Sequence, residues 1–160
     1  MVILRADKVL LRPWQVEDAR WYVEARDEEI FRWTTEKRAL SVAEAEAAIQ
    51  QINSSGDKPC FAIIEPQSGE LLGNIALALD EPGDRSGEIM YWLAAPGRGR
   101  GIATQAVKVL CQWAFATLAL EQIGLRTLVD NLASQRVAER AGFQRTQTQT
   151  EHLWFTLTKP

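Results

Sequence analysis

A strand followed by a glycine-rich turn and a long helix limits the possible folds of this chain more than any other segment. Residues 86–94 are predicted to form the strand, and Pro96-Gly97 ends it. Arg98-Gly99-Arg100-Gly101 follows at once, and from 101 to 118 apolar residues recur at helical spacing. A strand and a helix joined in this way are typical of a sheet with helices packed on its faces.

The remaining elements extend this unit to a mixed α/β domain. Ser41 and Glu44 form a capping box at the start of an alanine-rich helix that stops near residues 54–56. Because the sequence has no internal repeat, low-complexity tract or linker, residues 1–160 are predicted to form a single domain. The predicted strands are 8–14, 60–64, 71–79, 86–94, 123–129, 143–148 and 151–158, and the predicted helices are 15–32, the helix after Ser41, 101–118 and 133–140.

Composition limits the classes of protein to which the chain can belong. Hydrophobic residues make up 46% of the sequence and charged residues 24%, as in ordinary globular domains. No apolar run approaches the roughly 18 residues of a membrane span, and charged residues interrupt any signal-peptide core near the N-terminus. Cys60 and Cys111 lie far apart without metal-ligand spacing, so both are expected to be reduced, buried thiols of a cytoplasmic protein.

Charge is distributed unevenly along the chain, although the net charge is only −3. Residues 1–95 carry 10 basic and 17 acidic side chains, whereas residues 96–145 carry 7 basic and 3 acidic ones. This asymmetry fits an anion bound by the second segment and a cation near the first, or simply helix faces that are solvated differently. The basic excess is too small, and too poor in interleaved aromatic residues, to indicate nucleic-acid binding.

The start of the helix at Gly101 has the properties of an anion site. Amides of a first helical turn have no intrahelical partner, and the helix dipole adds positive potential there. Glycines let a phosphate approach the backbone, although they could equally serve as a cap or a turn. A Rossmann motif requires a third glycine where Ile102 or Thr104 stands, and a P-loop requires Gly-Lys-Ser/Thr, which is absent. Neither a dinucleotide nor a nucleoside triphosphate is therefore favoured.

Several segments, in order, resemble the GNAT superfamily of N-acetyltransferases. Arg98-Gly99-Arg100-Gly101-Ile102-Ala103 is similar to the family's Gln/Arg-x-x-Gly-x-Gly/Ala signature. Residues 87–93 resemble its fourth strand, and Asn131-Leu132-Ala133-Ser134 with Ala141-Gly142-Phe143 resembles elements near the end of the fold. Leu11-Arg12-Pro13-Trp14 is similar to the RimJ/RimL-like branch, whose members acetylate protein N-termini among other amines. The resemblance covers essentially the whole chain.

The resemblance implies a fold, a cosubstrate and a set of binding residues. The fold would be a GNAT-like mixed, mostly antiparallel sheet of about seven strands flanked by about four helices, with a splay between the fourth and fifth strands. Acetyl-CoA would be the cosubstrate, without a metal. Its pyrophosphate would meet backbone amides from Arg98 to Thr104, its pantetheine arm would run beside the strand end, and two further residues would lie near its sulfur. The cofactor-binding residues so implied are Leu93, Ala94, Arg98, Gly99, Arg100, Gly101, Ile102, Ala103, Thr104, Asn131 and Ser134.

Acetyl transfer by direct attack needs a polarised thioester, a proton acceptor and a thiolate that can leave. By resemblance, Ser134 is the candidate acid. Its alternatives are to cap the helix that follows it or to bond to the cofactor without donating a proton. Glu88 is the candidate base and a substrate contact, unless it only pairs with an arginine. Trp33 lies in the segment that forms the acceptor wall in the family, so we expect it in the substrate pocket or in the core. His152, the only histidine, is expected at the surface or at a rim.

Three functions are compatible with the sequence. The first is acetylation of a primary amine, with a protein N-terminal α-amine favoured by the branch resemblance. The second is acetylation of a small amine such as an antibiotic, a polyamine or an amino acid. The third is a non-catalytic acyl-CoA-binding sensor domain. Neither nucleic acid nor a membrane is an expected partner, and the family resemblance allows a homodimer.

Overall fold

The computed structural model describes residues 1–56 and 58–160, and within them eight strands form one sheet with five α-helices around it. The strands are β1 (Leu4–Arg5), β2 (Leu10–Pro13), β3 (Cys60–Ile64), β4 (Leu71–Leu79), β5 (Ser86–Leu93), β6 (Gln122–Leu128), β7 (Gln144–Thr148) and β8 (His152–Thr158). The helices are α1 (Ala19–Ala25), α2 (Glu28–Trp33), α3 (Val42–Ser55), α4 (Ile102–Thr117) and α5 (Leu132–Arg140). The strand order is β1-β2-β3-β4-β5-β6-β8-β7, and β5 and β6 are the parallel pair.

The mixed α/β architecture confirms the predicted fold class, with two differences in detail. The first is β1, which pairs with β2 over two residues and is too short to give a sequence period. The second difference is in residues 15–32. The prediction of one continuous helix there is wrong, because the chain forms a 3-10 turn, α1 and α2. Arg26 is extended, and Asp27 caps α2 by accepting the Ile30 N–H at 3.1 Å. The buried Arg26 guanidinium donates to Glu36, which holds this break in place.

The sheet separates the core into two layers. One face packs against α4 and α5 around fully buried residues such as Leu110. The other face packs against α1, α2 and α3, where Trp14 is buried. We call these the α4 face and the α1 face. Because side chains alternate along a strand, β5 directs Ile89 and Tyr91 to the α4 face and Trp92 to the α1 face.

Strands β5 and β6 pair over only part of their length. Their parallel register runs from Ser86 opposite Gln122 to Ile89 opposite Leu125. Beyond that point β5 stays paired with β4 and β6 stays paired with β8. The two strands therefore separate after Ile89 and leave a gap in the middle of the sheet. This gap is the predicted splay between the fourth and fifth strands of the sequence analysis.

Both cysteines are free thiols, as the sequence predicts. Cys111 is buried on α4, and Cys60 is half-buried on β3. Burial raises the pKa of each thiol to about 12. Because the thiolate is the reactive form of cysteine, neither side chain is a nucleophile at neutral pH.

Candidate active site

A cavity of about 840 Å³ lies at the gap between β5 and β6. Side chains from both faces of the sheet line it, together with the start of α4, with α5, and with α2 and the segment after it. Of the predicted site residues, Ala94 and Arg100 do not line the cavity: Ala94 is buried, and the Arg100 guanidinium donates to the Pro96 carbonyl at 3.0 Å. The predicted residues that line it are Trp33, Glu88, Leu93, Arg98, Gly99, Gly101, Ile102, Ala103, Thr104, Asn131 and Ser134.

Backbone amides at the start of α4 are available to a ligand. Gly99 and Gly101 have φ values of 70° and 75°, a left-handed conformation that glycine adopts without strain. Gly101 is the N-cap and has no side chain with which to satisfy the first turn. The first hydrogen bond of the helix is donated by the Gln105 N–H to the Gly101 carbonyl, at 3.2 Å. The amides of residues 102–104 therefore have no partner inside the helix, which is the arrangement that binds anions.

A lysine that the sequence analysis did not identify lies beside this turn. The Lys8 N–H donates to Gln105 Oε1 at 2.7 Å, and Lys8 Nζ donates to the Arg100 carbonyl at 3.2 Å. This ammonium would be 3.7 Å from a Cβ atom at Gly101. Lys8 thus adds positive charge to the turn from the far end of the chain, which no local motif could have indicated.

The Arg98 side chain links the turn to α2. Its guanidinium donates to both carboxylate oxygens of Asp27, at 2.8 and 2.9 Å, and lies 3.0 Å from Glu29. Its Nε donates to the Leu93 carbonyl at 3.1 Å, and its backbone N–H donates to the Ala95 carbonyl. The hydrogen bonds from Arg98 hold the pKa of Asp27 below its ordinary value. The charge of this guanidinium is therefore largely compensated by carboxylates.

The backbone of β5 presents polar groups to the gap. The Ala94 N–H donates to the Leu72 carbonyl of β4 at 2.8 Å. Alternate residues of a strand direct their backbone groups to the same neighbour, so those of Tyr91 and Leu93 face away from β4, where β6 has separated. Across the gap, the buried Thr127 Oγ1 has no hydrogen-bond partner among the described residues. These groups offer hydrogen-bond partners to a ligand that carries amides, such as the pantetheine arm of CoA.

Ser134 belongs to a hydrogen-bonded pair with Tyr91. Asn131 is the N-cap of α5, and its Oδ1 accepts the Ser134 N–H at 3.1 Å, so Ser134 is not the cap of that helix. The Tyr91 hydroxyl donates to Ser134 Oγ at 3.0 Å. Burial raises the pKa of Tyr91 to about 12, which keeps the phenol protonated at neutral pH. The hydroxyl hydrogen of Ser134 is therefore free to point into the cavity.

Glu88 and Trp33 line the cavity from the sheet and from α2, respectively. Glu88 Oε1 lies 3.5 Å from Arg126 Nε on β6, and the Glu88 side chain is 36% exposed. Glu88 therefore does pair with an arginine, which was the alternative to its role as a base. Its carboxylate is still accessible from the cavity. Trp33 is half-buried at the end of α2, with the Arg32 guanidinium 4.4 Å above its ring.

Glu36, which also lines the cavity, anchors the segment after α2 to the sheet. It accepts hydrogen bonds from the Tyr22 hydroxyl at 2.8 and 3.0 Å, and from Arg26 and the Trp92 indole at 3.1 Å each. Burial, together with the Glu36 charge, holds the pKa of Tyr22 well above its ordinary value. This network fixes one wall of the cavity against β5.

In residues 1–56 and 58–160, no group of three or more His, Cys, Asp or Glu side chains is arranged to hold a metal ion. His152 lies at the rim of the cavity with its ring 5.7 Å from that of Trp154. Among the helices of the described residues, none combines the length and apolar content needed to cross a bilayer.

Comparison with known proteins assigns the family. Residues 8–144 match the acetyltransferase (GNAT) domain family. The chain is 31% identical over 154 residues to an N-acetyltransferase 9-like protein from Caenorhabditis briggsae, a match that covers 88% of this chain and 76% of that protein. It superposes with a TM-score of 0.87 on a RimL ribosomal α-N-protein acetyltransferase in complex with coenzyme A, at 17% identity and 98% coverage of each chain. It superposes with a TM-score of 0.84 on spermidine N-acetyltransferase from Vibrio cholerae in complex with CoA and spermine, at 18% identity, covering 94% of this chain and 95% of the other.

The splayed sheet, the glycine turn before α4 and the cavity at the gap define a transferase that uses an acyl-CoA. The chain belongs to the GNAT family, and its fold is similar to that of the RimL structure. The protein is an N-acetyltransferase, and acetyl-CoA is its cosubstrate.

Replacement of Asp27 by Asn tests the link between the turn and α2. Asn can still cap α2 but does not carry the negative charge that faces Arg98, so we expect a loss of up to about 1 kcal/mol at neutral pH for this partly exposed pair. Because the folded-state pKa of Asp27 is lowered, its contribution is present above the unfolded pKa, near 4, and disappears as the pH falls through the folded value. Urea unfolding at neutral pH and at roughly pH 2.5 measures the difference.

The exposed ion pair of Glu28 with Arg38 provides the control for this experiment. Glu28→Gln also removes one carboxylate from an arginine, but both side chains of this pair are more exposed than those of Asp27 and Arg98. It should therefore change stability less at neutral pH. If Asp27→Asn destabilises the protein as much at low pH as at neutral pH, the ion pair is not the cause.

Proposed function

We propose that this enzyme acetylates the α-amine of a peptide or protein N-terminus by direct attack of the amine on acetyl-CoA. The observation that carries the proposal is a single cavity, which joins the free amides in the first turn of α4, the backbone of β5 at the gap and the Glu88 carboxylate. The RimL structure with a similar fold is described as an α-N-protein acetyltransferase, which supports the same acceptor class.

Acetyl-CoA would be held by backbone groups more than by side chains. Its pyrophosphate would accept hydrogen bonds from the amides of residues 99–104, where the dipole of α4 and the Lys8 ammonium add positive potential. Arg98 would act by holding the turn in place, because its guanidinium is engaged with Asp27. The pantetheine arm would then run along β5 toward Asn131 and the Ser134 hydroxyl.

The reaction joins the amine nitrogen to the acetyl carbonyl carbon while the carbon–sulfur bond breaks and the thiolate leaves. We assign polarisation of the carbonyl to the gap-facing amides of Tyr91 and Leu93. Ser134 donates a proton to the sulfur as the carbon–sulfur bond breaks and takes one back from water. This assists without being essential because an ordinary thiol has a pKa of about 8.5. Glu88 accepts the proton that the amine loses, directly or through a water molecule.

The charge beside Glu88 favours an α-amine over a lysine-like amine. At neutral pH, deprotonation costs about 4–5 kcal/mol for an amine with a pKa of about 10.4, but only about 1 kcal/mol for an α-amine with a pKa of about 8. Arg126 lies 3.5 Å from Glu88, so a positive charge already stands near the place where the amine must arrive. An acceptor that is readily neutral suits this position better than a permanently charged one.

Thiol release from acetyl-CoA in the presence of peptides and small amines tests this function. We expect turnover with peptides that have a free N-terminus and none after these peptides are N-acetylated. Glu88→Gln should lower kcat about 100-fold, whereas Glu24→Gln, on an exposed part of α1, should not change it. Stabilisation by CoA without turnover on any amine would instead indicate an acyl-CoA-binding sensor. Turnover restricted to small amines would indicate a small-molecule acetyltransferase.

A double-mutant cycle tests the assignment of Ser134 as the acid. Tyr91→Phe removes the hydroxyl that orients Ser134, and we expect kcat to fall about 3- to 10-fold while KM for acetyl-CoA is unchanged. In a Ser134→Ala background the same change should have little further effect, because Tyr91 acts through Ser134. Steady-state kinetics of the four proteins measure the coupling. Equal losses in both backgrounds would show that the two hydroxyls act independently.

A further inference from the structure

Asn74 lies on β4 at the wall of the cavity, and the chemistry proposed above does not use it. Its Oδ1 accepts the indole N–H of the buried Trp14 at 2.9 Å and faces the Cys60 thiol at 3.5 Å. An indole nitrogen is a donor only, so the amide oxygen must point toward Trp14. The NH2 group of Asn74 is therefore directed away from these partners, toward the cavity.

This orientation is fixed from behind by a chain of contacts. Asn53 on α3 donates from Nδ2 to the Trp14 carbonyl at 2.9 Å. The Trp14 ring also packs edge-on against Tyr22, with ring centres 5.1 Å apart. Cys60, whose pKa is raised to about 12 by burial, remains a thiol and hence a donor. Asn74 is about nine-tenths buried and cannot reverse its amide without facing donors with its own NH2 group.

The position of Asn74 defines where on the acceptor it would act. Asn74 is paired with Trp92 of β5, and Ala78 is paired with Glu88, so both pairs belong to the same antiparallel register. Asn74 and Ala78 are four positions apart along β4, a distance of about 13 Å. Ala76 lies between them and also lines the cavity, and its small side chain leaves room above the strand. An extended acceptor whose amine is near Glu88 would therefore pass Asn74.

We infer that Asn74 is a specificity-determining residue that donates a hydrogen bond to an oxygen of the acceptor. The inference rests on the proposed function and narrows its acceptor to amines that also carry a carbonyl or carboxylate oxygen, as peptides do. A protonated polyamine has N–H donors and no acceptor, as for a lysine ammonium. It would leave the NH2 group of Asn74 without a partner, and sites reject ligands strongly when a buried polar group is left unpaired.

Asn74→Asp tests the inference, because it retains an oxygen for Trp14 and replaces the NH2 donor by an acceptor. The quantity to measure is the ratio of kcat/KM for a short peptide amide with a free N-terminus to kcat/KM for spermidine. We expect this ratio to fall at least about 10-fold, since the variant loses its donor to the peptide and gains an acceptor for the cation. Both constants come from one preparation, so a reduced folded fraction cancels in the ratio.

Asn53→Asp is the matched control. It makes the same chemical change in the same hydrogen-bond chain, where it removes the donor to the Trp14 carbonyl, but Asn53 does not line the cavity. Its stability is expected to fall as for Asn74→Asp, whereas its ratio of kcat/KM for peptide to kcat/KM for spermidine should equal that of the wild type. A similar fall in the ratio for both variants would show that the effect comes from disturbed packing around Trp14, and this would overturn the inference.

Calorimetric titration of the peptide into the protein–CoA complex separates this inference from the proposed function. Asn74→Asp should weaken the Kd of the peptide about 10-fold, and this measurement needs no chemical step. If the wild type binds the peptide but releases no thiol, the proposed function fails and the Kd alone decides the role of Asn74. An unchanged Kd and ratio in Asn74→Asp, or a wild type that prefers spermidine to the peptide, would contradict the inference.

Discussion

The architecture of the active site follows from the point at which β5 and β6 stop pairing. Each strand is held by its other neighbour, β5 by β4 and β6 by β8, so the two can separate after Ile89 without losing the sheet. The separation leaves the backbone groups of Tyr91 and the Leu93 N–H without a strand partner, in a region where polar groups are normally paired. The Leu93 carbonyl accepts a hydrogen bond from Arg98 instead. A substrate arm with amide groups restores the missing hydrogen bonds, which is why the gap suits acetyl-CoA.

The gap also explains how the proposed chemistry divides between the two faces of the sheet. Tyr91 points to the α4 face and contacts Ser134 there, whereas Trp92 lies on the α1 face with the acceptor wall. The proposed acid and the proposed base, Glu88, would thus reach the thioester from opposite sides. Arg98 connects these sides, because it joins the turn before α4 to α2.

Features that belong to one contiguous segment could be predicted from the sequence. The strand before Pro96, the unpaired amides after Gly101 and the apolar stripe of α4 are of this kind, and the structure has all three. The division of the first predicted helix at Arg26 was missed, although Asp27 followed by two glutamates is a local signal for the start of a helix. The contacts that hold the break, Arg26 with Glu36 and Asp27 with Arg98, come from residues 10 and 71 positions away. The spacing of apolar residues is helical on both sides of this break and so does not indicate it.

The same limit applies to the candidate site. Family resemblance indicated Ser134, and the place of Glu88 on the strand beside the expected reaction centre indicated that residue. The catalytic roles of both stay predictions. Lys8, Tyr91 and Asn74 were missed, because each acquires its place through a partner from another element. Lys8 reaches the turn across 92 residues, and Asn74 is oriented by a tryptophan 60 residues before it. The residues next to Asn74 in the sequence give no indication of this orientation.

Binding of a diphosphate by the amides at the start of α4 can be examined by calorimetry with CoA and with pantetheine, which lacks the pyrophosphate and the nucleotide. We predict saturable binding of CoA that weakens as ionic strength rises, and an affinity for pantetheine that is lower by about 100-fold or more. Equal affinities for the two ligands would contradict the role assigned to these amides, and so would binding of CoA that does not respond to salt.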